Sequence, residues 1–429
     1  MACFGLVVAD DLTGATDTGH EFAARGLRTL VSVGAATAAE DGPPADVRVV
    51  DTDSRYVDPE VAAAAVRRVI GAHDASFVYK KVDSTLRGNV VAEVDAALDA
   101  TGADLALVAP ASPRNGRTTV EGYHLVDGVL VAETDAGDDP ERPVDTSHLP
   151  TRFAGSSYPV VRLPVDRVAA GADAVADDLR ATAGEGRAVV VADAVHERHL
   201  EALATGAAKS GCSVVYVGSA GLARYVKTPP PTADGPPSVP TRERSVLCVV
   251  GSTNPATLEQ VRALHAESVV PLDLEAAIDD PGAASDAAAS ACAARLDDAG
   301  FAALVSAPDS DAPARALEAG RRLGLEGTSV RTHIAEALAG TVERLWHRDD
   351  DTPESLFVTG GAVASDVFDV LDAEGVLLSG EAVEEGIPLG CVAGGVADET
   401  PVVTKAGAFG SPGAIRKCAA RLGGRDEFE

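Results

Sequence analysis

Asp10 and Asp11 stand where an apolar run, FGLVVA at residues 4–9, stops. A glycine- and threonine-rich turn follows, with a third carboxylate at Asp17. Thr13 is a natural cap for a helix starting near Gly14 and ending before Gly26. A capping role explains at most one carboxylate at a strand end, so Asp10 and Asp11 are candidates to bind substrate hydroxyls or to accept a proton from one. DTDSR at 51–55 follows the run VRVV in the same manner. Asp51 and Asp53 are candidate ligands there, and Arg55 supplies a fork suited to a carboxylate. In YKKVDSTLRG, Lys80 and Lys81 alternate faces of a strand, so at least one points toward a sheet face. A lysine there is costly unless it is paired. Asp83, Ser84 and Arg87 follow at the strand end, and Gly88 permits close backbone approach. Such a cluster in an acidic chain points to an anionic ligand. Arg117 and Thr118, after the run LALVAP, are further candidate contacts, whereas a lone His124 reads as structural.

Three loops in the second half have another character. Ser252-Thr253-Asn254 precedes Pro255, Gly360-Gly361 follows SLFVT, and Gly407, Gly410 and Gly413 follow VVTK, with Lys405 supplying a cation. Free backbone N–H groups at such strand-to-helix turns bind anions. Three of them suit a nucleotide-binding domain better than one would. GxxxxGK[ST] is absent, and no GxGxxG follows the first strand, so neither a P-loop nor a dinucleotide domain is expected. No CxxC or HExxH is present, and no metal ligand set from the protein is expected.

The elements that must position these residues alternate. Short aliphatic runs at 29–33, 47–51, 76–82, 105–110, 188–193 and 213–218 are separated by amphipathic stretches such as 60–73 and 90–102. That pattern predicts βαβ units and a parallel sheet covered on both faces. Runs at 245–251, 301–307, 355–361 and 401–407, with helices at 256–266 and 328–347, repeat it. HLV-DG-VLV predicts a hairpin with a type I′ turn. The proline-rich stretch between the halves reads as a stiff linker. The fold class is therefore two α/β domains, residues 1–226 and 242–429, joined by a linker at 227–241. Each has a largely parallel sheet flanked by helices, with the active site expected in the cleft between them.

Composition narrows the setting. The chain has 429 residues and a net charge of -30, with 66 acidic against 36 basic residues. Only six residues are lysine: Lys80, Lys81, Lys209, Lys227, Lys405 and Lys417. Acid-rich, lysine-poor and alanine-rich composition suits a protein adapted to high salt, where self-repulsion is screened. It argues against binding nucleic acid or anionic membranes. Six scattered cysteines indicate reduced thiols, the N-terminus reads as a strand and not as a signal peptide, and no apolar run spans a membrane. A cytoplasmic protein follows, and a homodimer is the ordinary expectation for a soluble enzyme of this size.

ADDLTGATD, DTDSR, KKVDSTLRGN, GRTTVEGYHLVDG, GSTNPAT, VTGG and VTKAGAFG occur in this order across roughly residues 4–420. Together they closely resemble the four-carbon acid sugar kinases. The resemblance implies an N-terminal sugar-acid-binding domain, a C-terminal nucleotide-binding domain, and ATP-dependent phosphorylation of threonate, erythronate or a 3-oxo-tetronate. It implies that Asp11, Arg55, Lys81, Asp83 and Ser84 line the sugar-acid site. It likewise implies that Ser252, Gly360, Gly361, Ala362, Val363 and Gly407 contact ATP, whose phosphates Mg²⁺ would bridge. The family usually continues its double glycine as Glu-Thr where this chain has Ala362-Val363, which keeps backbone contacts and removes side-chain ones. For the proton acceptor the expectation is Asp11, then Asp10 and Asp83. Two rival readings are an aspartyl-phosphate phosphatase, with Asp51 as nucleophile and Asp53 as acid/base, and a non-catalytic two-domain solute-binding protein. The charge reading makes a prediction of its own: thermal scans in about 0.1 M and about 2 M KCl should show the unfolding midpoint rising with salt, and a falling midpoint would contradict it.

Overall fold

The computed structural model describes residues 3–32, 43–139, 142–231, 235–348 and 352–425. The chain divides into two compact units, the first ending at Gly235 and the second taking the chain from Pro236 onward. No helix or strand occurs among the described residues of 227–245.

The first unit holds strands β1 (Cys3–Ala9), β2 (Thr29–Ser32), β3 (Val47–Asp51), β4 (Ala75–Lys81) and β5 (Leu105–Ala109). A small antiparallel sheet of β6 (Arg117–Val120), β7 (Tyr123–Val126) and β8 (Val129–Leu130) follows. Its β7–β8 turn is of the expected type, with φ 51° at Asp127 and 83° at Gly128. β9 (Val160–Leu163), β10 (Ala188–Ala192) and β11 (Val214–Gly218) complete the set. The main sheet runs β2-β3-β1-β4-β11-β5-β10-β9, and its pairings from β3 to β9 are parallel. Valine and leucine fill the buried strands, as a sheet covered on both faces demands.

The order places the site. From β1 the chain crosses to β2 and β3 on one side, then returns past β1 to β4 on the other. The carboxyl ends of β3, β1 and β4 therefore surround a topological switch point, where open α/β sheets leave a crevice for ligands. Asp10-Asp11, Asp51–Arg55 and Lys81–Arg87 are the residues that leave those three ends.

The second unit contains β12 (Val246–Val250), β13 (Val269–Pro271), β14 (Phe301–Val305), β15 (Ser355–Thr359), β16 (Gly375–Glu384), β17 (Ile387–Ala393) and β18 (Pro401–Lys405). Their order is β13-β14-β12-β15-β18-β17-β16. β13 to β18 pair in parallel, and β17 and β16 add an antiparallel hairpin that the sequence pattern did not reveal. Because β12, β15 and β18 are neighbours, the three glycine-containing loops lie side by side.

Lys80 and Lys81 part company as the strand period requires. Lys80 is wholly buried. Its Nζ lies 3.1 Å from Glu93 Oε2 and donates to the carbonyls of Val8 (3.2 Å) and Lys81 (2.7 Å). The other Glu93 oxygen accepts the Ser54 hydroxyl. Removing one partner of a buried pair strands the other charge, so Glu93→Ala should cost about 3–5 kcal/mol. The Lys80→Met/Glu93→Leu double variant should cost less, and urea unfolding of the full chain compares the two.

Candidate active site

Arg55 organises the carboxyl ends of β1, β3 and β4. Its Nε and Nη2 donate to the two oxygens of Asp10 at 2.7 and 3.1 Å. Nη2 also lies 2.8 Å from Asp11 Oδ1 and 3.9 Å from Asp83 Oδ1. Gly88, at φ 88°, backs directly onto it, where a Cβ would come within 3.1 Å of Arg55 Cγ. Asp83 in turn takes a bidentate Arg87, at 2.8 and 3.2 Å. Burial works against the Asp10 and Asp83 anions. Arg55, with Lys81 and Lys80 at Asp10 and Arg87 at Asp83, more than offsets it and holds both carboxyls below the usual range.

Asp11 is the N-cap of helix Leu12–Ala23, a role the sequence pattern assigned to Thr13. Its Oδ1 accepts the Gly14 amide at 2.9 Å as well as Arg55. Among the described residues its Oδ2 has no partner, and the side chain is 27% exposed. Beside it lies Lys81. A Cβ on Gly14 would fall 2.5 Å from both Asp11 Oδ1 and Lys81 Nζ, so glycine is required there. Lys81 is 4% exposed, yet its ammonium makes no hydrogen bond or ion pair among the described residues. A nearly buried, unpartnered cation is expensive unless an anion joins it.

Asp51 and Asp53 lie within electrostatic reach of Asp11. The Asp53 amide donates to Asp51 Oδ1 at 2.9 Å, and Asp53 adopts φ 45°. Burial pushes the Asp51 carboxyl up to about 8; the Asp53 amide opposes this, and the charges of Asp11, Asp53 and Asp10 add to it. A carboxyl that is neutral at pH 7 is a poor nucleophile, which counts against the phosphatase reading. Ser84 is held from behind. The fully buried His124 donates from Nε2 to the Ser84 carbonyl at 2.9 Å, and its Nδ1 accepts the Thr119 hydroxyl at 2.9 Å. Burial lowers this imidazole to about 4, so it stays neutral.

Five of the expected site residues are engaged by other protein groups: Lys80, Asp10, Asp83, Arg117 and Arg87. Lys80 points into the core with Glu93 and faces no ligand. Asp10 and Asp83 are committed to arginines and are poor proton acceptors. Arg117 folds back onto the Asn115 carbonyl and does not join the cluster among the described residues. Arg87 lies at its edge, paired with Asp83. His124 is structural, as its isolation in the sequence suggested, whereas Glu93 escaped notice as a support because it sits alone in an apolar stretch. A glutamate on the buried face of VVAEVDAALDAT was the available signal.

In the second unit the three loops converge. Gly360, at φ 107°, lies against the backbone of Gly251 and Ser252, with 3.3 and 3.4 Å left for a Cβ. A Cβ on Gly407 would meet Ser252 Oγ at 2.3 Å. Both positions need glycine, and both leave backbone amides accessible for phosphate oxygens. Gly361 and Ala362 open helix Gly361–Val370 and are exposed, whereas the Val363 side chain packs on Gly251. Val363 therefore offers its amide alone. Lys405 is 2% exposed, with Nζ bound to protein oxygens, so it does not face a ligand. These cradles fit the phosphates of a nucleotide. Among the described residues no group of three or more His, Cys, Asp or Glu is arranged to hold a metal ion, and no helix is long and apolar enough to cross a membrane.

A family model described as a sugar-binding N-terminal domain matches residues 5–226, and one described as a nucleotide-binding C-terminal domain matches residues 247–415. A D-threonate kinase of Salmonella typhimurium is 35% identical over 422 residues, which cover 95% of each chain. The chain belongs to the four-carbon acid sugar kinase family. A second relative in this family, a D-erythronate kinase of Heliobacterium modesticaldum, is 32% identical across 96% of this chain and 95% of its own. The fold is shared with a solved Salmonella typhimurium protein described as a putative tRNA synthase, at a TM-score of 0.79 and 22% identity, covering 96% of this chain and 98% of the other.

The raised Asp51 carboxyl gives this kinase a pH signature. The folded state holds a proton that the unfolded chain releases above about pH 4, so this group costs stability as pH rises from about 4 to about 8. Asp51→Asn is expected to gain stability over the wild type between about pH 5 and 8, read from paired thermal midpoints. A constant difference across that range would show that Asp51 is ionised throughout.

Proposed function

We propose that the protein transfers the γ-phosphoryl group of ATP to a hydroxyl of a four-carbon sugar acid such as a threonate, an erythronate or a 3-oxo-tetronate. The observation that carries this reading is Lys81, a nearly buried ammonium with no hydrogen bond or ion pair among the described residues, beside an Asp11 oxygen that likewise has no partner among them. Lys81 receives the substrate carboxylate. Arg55 cannot do so alone, because three carboxylates already surround it. Asp11 Oδ2 orients the attacking hydroxyl and accepts its proton, while Oδ1 stays fixed by Gly14 and Arg55. Ser84, at the part-buried end of the cluster, is placed for a hydroxyl of the substrate. Asp51, neutral near pH 7, donates a hydrogen bond instead of repelling the substrate anion.

In the second unit the amides around Ser252, Gly360 to Val363 and Gly407 would hold the phosphates of ATP, which would supply the activated phosphoryl group, with Mg²⁺ offsetting its charge. Alignment and charge neutralisation supply most of the rate in such transfers. The decisive experiment is a coupled ADP-release assay in molar KCl with Mg-ATP. The panel comprises D- and L-threonate, D- and L-erythronate and their 3-oxo forms. One strong responder is expected. Asp11→Asn should lower its kcat by at least about 100-fold while ATP binding stays near the wild-type value. Unchanged turnover in that variant would remove Asp11 as the base, and ATP binding with no responder would move the substrate outside this class.

A further inference from the structure

The loop after β18 has an unusual interior. Lys405 Nζ donates to the carbonyl of Ala406 at 2.7 Å, to those of Gly407 and Phe409 at 3.2 Å, and to Thr257 Oγ1 at 3.2 Å. Three ammonium protons are thus shared among four oxygens, and none of these is a carboxylate. Thr257 passes its own proton to the Gly407 carbonyl at 2.7 Å. Gln260, one turn along helix Pro255–Arg262, gathers the carbonyls of Phe409, Gly410 and Ser411 at 3.0, 3.2 and 3.1 Å. Glu384, on β16, takes the Ser411 amide and hydroxyl and the Lys417 ammonium, and does not bond to Lys405. The remaining neighbour, Cys418, is a buried thiol that burial pushes well up from its usual value.

This arrangement has a geometric consequence. In a trans peptide the C=O of one residue and the N–H of the next point in opposite directions. Turning the carbonyls of Ala406, Gly407 and Phe409 inward turns the amides of Gly407, Ala408 and Gly410 outward. Among the described residues those three amides have no acceptor. Gly407 is the position whose Cβ would collide with Ser252 Oγ, so the start of this loop lies beside the β12 loop, whereas Gly410 lies against Ala414, Ile387 and Glu384.

We propose that Lys405 is a positioning residue for the nucleotide: a tethered monovalent cation, caged by loop carbonyls, that orients the loop so that the amides of Gly407 and Ala408 face phosphate. It acts through the loop, since its own protons are spent inside the cage. Once the tether is removed, the vacated oxygens form a site for a small free cation of the ammonium or potassium class. The inference rests on the reading of this unit as the nucleotide-binding one.

Calorimetric titration with ADP separates the two ideas. Wild-type protein that binds no ADP would overturn the nucleotide reading and this inference with it. If the wild type binds, Lys405→Met should weaken ADP by about 10- to 100-fold, the scale of losing hydrogen bonds to a charged group. The KM for ATP should rise in parallel, while kcat at saturating ATP and the KM for the sugar acid change little. Lys405→Ala should regain part of its ADP affinity in ammonium chloride and none in tetramethylammonium chloride at equal ionic strength. A folded Lys405→Met that binds ADP like the wild type overturns the proposal. So does a Lys405→Ala variant with equal affinity in both salts. Should neither lysine variant fold, Thr257→Val removes one cage oxygen and the bond to the Gly407 carbonyl. Several-fold weaker ADP binding is then expected, and unchanged affinity again overturns the proposal.

Discussion

The Arg55 guanidinium, buried among Asp10, Asp11 and Asp83, is the interaction on which the first unit's site depends. It ties together chain segments leaving three different strands. Its planar fork matches carboxylate geometry in a way an ammonium would not. The charges are interdependent, because losing any one leaves others buried without compensation. With the guanidinium and Arg87 both engaged by carboxylates, the ammonium of Lys81 is the cation of this cluster that makes no hydrogen bond or ion pair among the described residues.

The second unit solves a similar problem with different chemistry. Carbonyl oxygens surround Lys405, where carboxylates surround Arg55. In each unit a buried cation shapes the backbone or side chains that would meet the ligand, and in neither does it present itself. Asp11 shows the same economy, since one oxygen caps a helix while the other stays open.

Much of this architecture was legible in the residues. Aliphatic runs with helical intervals gave the parallel sheets, and Asp127-Gly128 gave the hairpin turn. The site segments were legible because polar residues at the ends of apolar runs are conspicuous. Division of labour within each segment was not. Lys80 and Lys81 are chemically identical neighbours, and only the phase of the strand sends one to Glu93 and the other toward Gly14. Asp10 and Asp11 differ likewise: one is sealed by Arg55, and the other keeps an oxygen that has no partner among the described residues. Supports such as Glu93, His124, Thr257 and Gln260 lie far away in sequence from what they hold. No local pattern marks a contact of that kind. The antiparallel hairpin of β16 and β17 was missed because its turn, Glu385-Gly386, sits among acidic residues that mask the alternation.

The lysines divide evenly. Lys80, Lys81 and Lys405 are buried, while Lys209, Lys227 and Lys417 are exposed. A surface carrying dozens of carboxylates has thus shed nearly all its ammonium groups, and the interior has kept those with specific work. Reagents and proteases that recognise lysine accordingly find only three side chains on the folded chain. Acylation or amine cross-linking at Lys209 and Lys227 touches neither cluster, whereas at Lys417 it removes a bond to Glu384 and Ser411 beside the loop after β18.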